Sequence, residues 1–176
     1  MDTLQLHNIL QPMLRDSFYG VWPSDQLPLL KRGFKLPAYF IVNTDPSDQP
    51  GEHWLALTLE KGGEATFFDS FGISPDSGFY PQSILKFLNK YSQNIKYHVG
   101  QLQDHSSKVC GHHCVYYLYH RARGLSFKQV LELYSRDTIK NDLEVYNFVK
   151  KYQRCIKTPV TQGNCCFQLF KKCCHA

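Results

Sequence analysis

The chain has no cysteine before Cys110, and five of its seven cysteines, Cys155, Cys165, Cys166, Cys173 and Cys174, crowd the last stretch. That spread excludes the evenly stapled disulfide framework of a small secreted domain. No apolar h-region with a small-residue cleavage site precedes the first helical pattern, so an intracellular, reducing compartment is expected rather than secretion. No apolar run is long enough to cross a bilayer, which excludes a transmembrane segment. Repeats of solenoid or propeller period are also missing. Positive charge is modest: 20 Lys and Arg against 15 Asp and Glu leave +5, which permits loose contact with a polyanion but lacks the density of a dedicated nucleic-acid binder.

What is present suits one domain with a packed core, since 43% of the 176 residues are hydrophobic and 14% aromatic. The composition changes after Pro159, so residues 1–158 read as the domain and 159–176 as a basic, Cys-rich tail. Helical spacing of Leu4, Ile9, Leu10, Met13 and Leu14 predicts a helix over Thr3 to Leu14. Phe18 to Pro23 and the Pro- and Gly-bearing stretch to Leu36 read as an irregular connection. The apolar run Ala38 to Asn43 reads as a buried strand. His53 to Leu59 and Ala65 to Asp69 flank a Gly62-Gly63 turn and should pair as an antiparallel hairpin. A helix entered through Pro81 and running to Tyr91 is expected next, then a strand over Ile95 to Val99. The helix from Cys110 to about Arg121 should be largely buried, with Cys114, Val115, Leu118 and Ala122 on its apolar side. Capping-box patterns at Ser126-Phe127-Lys128-Gln129 and Asn141-Asp142-Leu143-Glu144 open two closing helices, to about Ser135 and Gln153.

The chemistry gathers at the junction where the polar loop from Gln103 runs into the Cys110 helix. A thiol at a helix N-terminus faces unpaired N–H groups and the positive end of the helix dipole, and both favour thiolate. A cysteine nucleophile needs a base, a group that orients the base, and donors for the oxyanion. Hairpin pairing brings His53, at the start of one strand, beside Asp69, at the end of the other. His53 can therefore take the Cys110 proton and pass it to a leaving amine, while Asp69 accepts from the second ring nitrogen. The side-chain amide of Gln103 and the backbone N–H of Cys110 are the oxyanion donors, and Gly111 leaves room for a substrate backbone. His105, His112 and His113, although nearer in sequence to the thiol, yield the base role to His53.

These residues carry a resemblance. Ile41-Val42-Asn43-Thr44, Gly51-Glu52-His53-Trp54-Leu55-Ala56, Phe68-Asp69-Ser70-Phe71-Gly72, and Gln103 seven positions before Cys110-Gly111-His112-His113-Cys114 resemble the adenovirus-type cysteine endopeptidases, the adenain-like family. The wider clan, with the proteases of ubiquitin-like modifiers, has a similar His-Trp, acid, Gln, Cys-Gly order. The resemblance implies an α+β fold with a mixed sheet flanked by helices, the triad His53, Asp69 and Cys110, and Gln103 in the oxyanion hole. It further implies cleavage of viral or virus-like precursor proteins at small-residue, Gly-containing sites during particle maturation, in the virion and host nucleus. No cofactor is needed for such chemistry, and activation by DNA or a peptide is implied. Two departures stand out: the acid is Asp69, where adenoviral enzymes typically have Glu, and no cysteine lies between Asp69 and Gln103 to hold a disulfide-linked activator peptide. The tail is then a candidate built-in partner or DNA contact, or a segment bearing palmitoylatable cysteines. A monomer is expected. The enzymatic alternative is a processing protease or deconjugase for a ubiquitin-like modifier. The non-enzymatic one is a zinc module drawn from Cys110, His112, His113, Cys114 and the tail cysteines, whose spacing lacks a second cysteine pair within the domain.

Overall fold

The strand Ala38–Asn43 (β2) has no exposed residue on either side, and the reason is a sheet covered on both faces. A computed structural model describes residues 1–31 and 33–157, with side chains to 153, so the tail assigned above lies outside the described residues. Phe18–Pro23 (β1), β2, Trp54–Leu59 (β3), Glu64–Phe68 (β4) and Asn94–Lys96 (β5) form one mixed sheet in the order β1-β2-β3-β4-β5. The outer pairs are parallel and the inner pairs antiparallel. Alternation along each strand divides the apolar side chains between two cores. Tyr39, Ile41, Ala56 and Phe68 face one, under the helices Thr3–Leu14 (α1), Cys110–Ala122 (α3) and Phe127–Leu131 (α4). Phe40, Val42, Leu57 and Phe67 face the other, under the helix Gln82–Tyr91 (α2). The long helix Thr138–Lys157 (α5) packs on the outer side of α3. The architecture is α+β, as expected.

α3 is enclosed along its first three turns, from Cys110 to Tyr119, because α1, β3 and α5 contact it from different sides. Ala122, expected on the apolar side, is exposed where the helix protrudes. Tyr117 stacks on Phe68 with ring centroids 4.3 Å apart, and its hydroxyl continues a buried chain through Thr66 to Thr58 at 2.6 and 2.7 Å. This chain satisfies hydroxyls that would otherwise cost roughly 1–3 kcal/mol each when buried.

Several boundaries differ from the expectation. Phe18–Pro23 is a strand: Gly20, with φ of 102°, carries a register shift between Phe18 and Val21, and Pro23 closes an edge strand where no N–H is required. A bulged edge strand has no period for sequence to display. β5 stops at Lys96, and α4 stops at Leu131. Pro81 is the N-cap of α2 rather than its first helical residue. α5 starts at Thr138, ahead of the Asn141 pattern, since Asp137 caps it through the Lys140 N–H at 3.0 Å. Asn141 and Asp142 are thereby freed for other partners.

Candidate active site

β3 and β4 run antiparallel with Ala56 opposite Phe68, so the residues just outside the ladder, His53 and Asp69, meet at one edge. His53 Nε2 lies 2.7 Å from Asp69 Oδ1, with both side chains nearly covered. Asp69 is 1% exposed and accepts three further bonds: from the N–H groups of Phe71 (3.0 Å) and Ile73 (2.8 Å) and from the Tyr80 hydroxyl (2.7 Å). Burial pushes the Asp69 carboxyl up, but His53, Tyr80 and the Ile73 N–H together hold it below the usual carboxylate range. Asp69 is therefore an anion built into the turn after β4. Neither Tyr80 nor Phe71 carries a sequence signal for these contacts. Phe71 stacks on the imidazole with centroids 4.9 Å apart and fixes its plane.

Asp69 takes Nε2, which leaves Nδ1 for the thiol of Cys110. Burial lowers the His53 pKa, yet Asp69 and the thiolate of Cys110 outweigh it and raise it to about 9. Burial likewise raises the Cys110 thiol, but His53 and the N–H groups of Trp54 and Gly111 bring it below its ordinary value. The two shifts run in the same sense, each favouring negative charge on sulfur beside positive charge on the imidazole, and the N-terminus of α3 favours that sulfur charge as well. Cys110 is buried but not sealed, at 8% exposed. Beside Trp54 a cleft of about 370 Å³ opens between Met1, Trp22, Asn43 and Gly51.

Gln103 sits on the loop before α3 and is 1% exposed. Its N–H donates to the Ser70 carbonyl at 3.0 Å, and its side-chain Oε1 accepts from the Ser70 hydroxyl at 2.7 Å. These two bonds seat it against the residue that follows Asp69. With Oε1 accepting from Ser70, the amide nitrogen is the donor end, and it donates to the carbonyl and hydroxyl of Ser107 at 3.0 and 3.1 Å. Ser70 and Ser107 had no sequence signal beyond their nearness to Asp69 and Cys110.

The other residues of the Cys110 stretch go elsewhere. Cys114 is fully buried and donates its Sγ–H to the Trp54 carbonyl at 3.2 Å, and burial pushes its thiol well up. His113 bonds Asp142 at 2.8 Å, and His112 packs on Tyr146. The four side chains considered for zinc thus point to four different partners. Among the described residues no group of three or more His, Cys, Asp or Glu is gathered to hold a metal ion. A Cβ at Gly111 would lie 3.3 Å from Met1 and Trp54 and 3.4 Å from Leu6, so its missing side chain lets the N-terminal segment, α1 and β3 pack closely on α3.

No family model matches the sequence, and neither does any curated protein. Solved structures do match. The central domain of the uncharacterized Lpg1148 protein from Legionella pneumophila aligns over 89% of this chain and 97% of its own, with a TM-score of 0.58 at 13% identity. The fold is therefore one this chain shares with that domain. Two partial matches are the ASFV pS273R protease (TM-score 0.41, 23% identity, 67% of this chain, 45% of that one) and ChlaDub1 from Chlamydia trachomatis (0.44, 13%, 70% and 61%). Among the described residues, no helix is long and apolar enough to cross a membrane.

Proposed function

We propose that the protein is a cysteine endopeptidase in which Cys110 is the nucleophile, His53 the acid and base, Asp69 the group that orients it, and Gln103 with the Cys110 N–H the oxyanion donors. The observation that supports this reading is the 2.7 Å bond between His53 and a buried, four-bonded Asp69, beside a Cys110 thiol whose pKa His53 lowers. The Cys110 sulfur attacks the scissile carbonyl carbon and forms a C–S bond. The carbonyl oxygen, now anionic, is met by the Cys110 N–H and by the Gln103 amide once that amide gives up one of its two Ser107 bonds. His53 Nδ1–H protonates the amine as the C–N bond breaks, leaving a thioester. Water, deprotonated by His53, then releases the acid.

A nucleophile this covered suits a slender acyl residue, which supports small, Gly-containing cleavage sites, and viral or virus-like precursors are the substrates the sequence resemblance favours. The test is labelling with a Gly-rich peptide vinyl sulfone. Modification is expected at Cys110, abolished by Cys110→Ala. Labelling at other cysteines with Cys110 untouched would sink the reading.

The ionisation pattern sets a pH dependence. The imidazolium of His53 is raised from 6.5 to about 9, so it is fully present below 6.5 and is lost as pH rises through 9. The Cys110 thiolate forms above a depressed pKa. Plotted against pH, kcat/KM should thus rise through the depressed thiol pKa and fall near 9. Asp69→Asn removes the charge that supports the imidazolium and should move the basic limb downward. An unmoved limb in that variant would detach Asp69 from His53.

A further inference from the structure

The flanks of Gln103 are held by two consecutive residues of α5. Asn141, 1% exposed, donates from Nδ2 to the Leu102 carbonyl at 2.9 Å. Asp142 accepts through Oδ2 from the Asp104 N–H at 3.2 Å. The other oxygen of Asp142 is bound to Nε2 of His113 at 2.8 Å, and His113 is fully buried on α3 one turn beyond Cys110. Burial keeps this imidazole below its ordinary pKa, so a neutral ring donates Nε2–H to the Asp142 carboxylate. His113 stacks on Tyr134, with centroids 5.6 Å apart and planes 16° off parallel, so the ring has one orientation.

The consequence is geometric. One oxyanion donor, the Cys110 N–H, belongs to α3, and the other, Gln103, to a loop that bonds from Leu102 and Gln103 join to Ser70. His113, Asp142 and Asp104 cross-link the helix to that loop, and Asn141 fixes its other side. We propose that Asn141 and Asp142 are positioning residues for Gln103, holding its amide in register with the Cys110 N–H through His113. This rests on the assignment of Gln103 and Cys110 made above. It also accounts for the unusual use of Asn141 and Asp142: α5 is capped by Asp137, so neither is needed to start the helix.

Thiol alkylation and thiol acylation separate a positioning role from a structural one. Iodoacetamide is displaced at an sp³ carbon and forms no oxyanion, whereas an ester is attacked at its carbonyl and needs the donors. Asp142→Asn keeps the shape and one acceptor, and it serves both Asp104 and His113 only if the imidazole moves its proton from Nε2 to Nδ1, which turns the ring's bond around. Asn141→Asp keeps the bonds that Oδ1 accepts from Ser135 and loses the donor to the carbonyls of Leu102 and Ser135. Each variant should acylate with N-acetylglycine p-nitrophenyl ester on the order of tenfold to a hundredfold more slowly. Alkylation of Cys110 by iodoacetamide should stay within about twofold of the parent, and Asp142→Glu should recover part of the loss. Combining Asp142→Asn with Gln103→Ala should be no slower than Gln103→Ala alone, since both act through one amide. Acylation at the parent rate in both α5 variants beside a slowed Gln103→Ala overturns this proposal alone. So does a parallel fall of alkylation and acylation, or a multiplicative double variant. Full acylation in Gln103→Ala removes Gln103 from the oxyanion hole and takes both readings down.

Discussion

His53→Ala should lower kcat/KM for a Gly-Gly peptide coumarylamide on the order of ten-thousandfold, since base, proton donor and thiolate partner disappear together. The fold should largely survive. Asp69 keeps its bonds from Phe71, Ile73 and Tyr80, so the buried carboxylate is still satisfied after the imidazole is gone. A stability loss of about 1–2 kcal/mol is expected from the vacated volume and the missing bond. Residual alkylation by iodoacetamide should be much slower and shift to high pH, because the thiol returns towards its unassisted pKa in a site whose burial alone would raise it. A loss under tenfold in kcat/KM, with the protein folded, would show that another group deprotonates Cys110. His113 is not that group, being fully buried and committed to Asp142.

Gly72→Ala should be the most damaging small substitution outside the catalytic set. Gly72 has φ of 69°, in the left-handed region, and a Cβ there would drive into the backbone of Gly100. Its own N–H closes the turn on the Asp69 carbonyl at 3.0 Å. The Ser70 carbonyl in the same turn receives the N–H groups of Leu102 and Gln103 at 2.9 and 3.0 Å. The turn that holds Asp69 and the loop that holds Gln103 are thus in backbone contact at Gly72, where neither side is a flexible side chain that could yield. Strain and overpacking together should cost on the order of 3 kcal/mol. Activity should fall further than stability predicts, because the two segments separate at the site. Thermal melting beside kcat/KM measures both; a variant as stable and active as the parent would mean that the Gly72–Gly100 approach is looser than described.

Much of this site is written in local pattern. The apolar run Ala38–Asn43, the Gly-Gly turn between β3 and β4 and the loop-to-helix junction at Cys110 each carry their own signal, and hairpin pairing alone brings His53 to Asp69. Segments without a period were harder: β1 carries a bulge at Gly20 and lies at an edge, so nothing in Phe18 to Pro23 alternates. The Asn141 pattern misled because a capping box is a local motif, and Asp137 had already started the helix.

By itself, then, the amino-acid sequence determined the α+β class and the elements with a local period, the pairing of His53 with Asp69 and the position of Cys110 at a helix start, since each depends on neighbours along the chain or across one tight turn. Only the tertiary structure decided what surrounds them. Tyr80 on Asp69, Phe71 on His53, Ser70 on Gln103, Asn141 and Asp142 on the Gln103 loop and α1 over Gly111 are contacts whose partners follow from packing. A hydrogen bond or a van der Waals contact between segments leaves no periodicity in either one, so these residues became visible when the sheet and helices closed around the thiol.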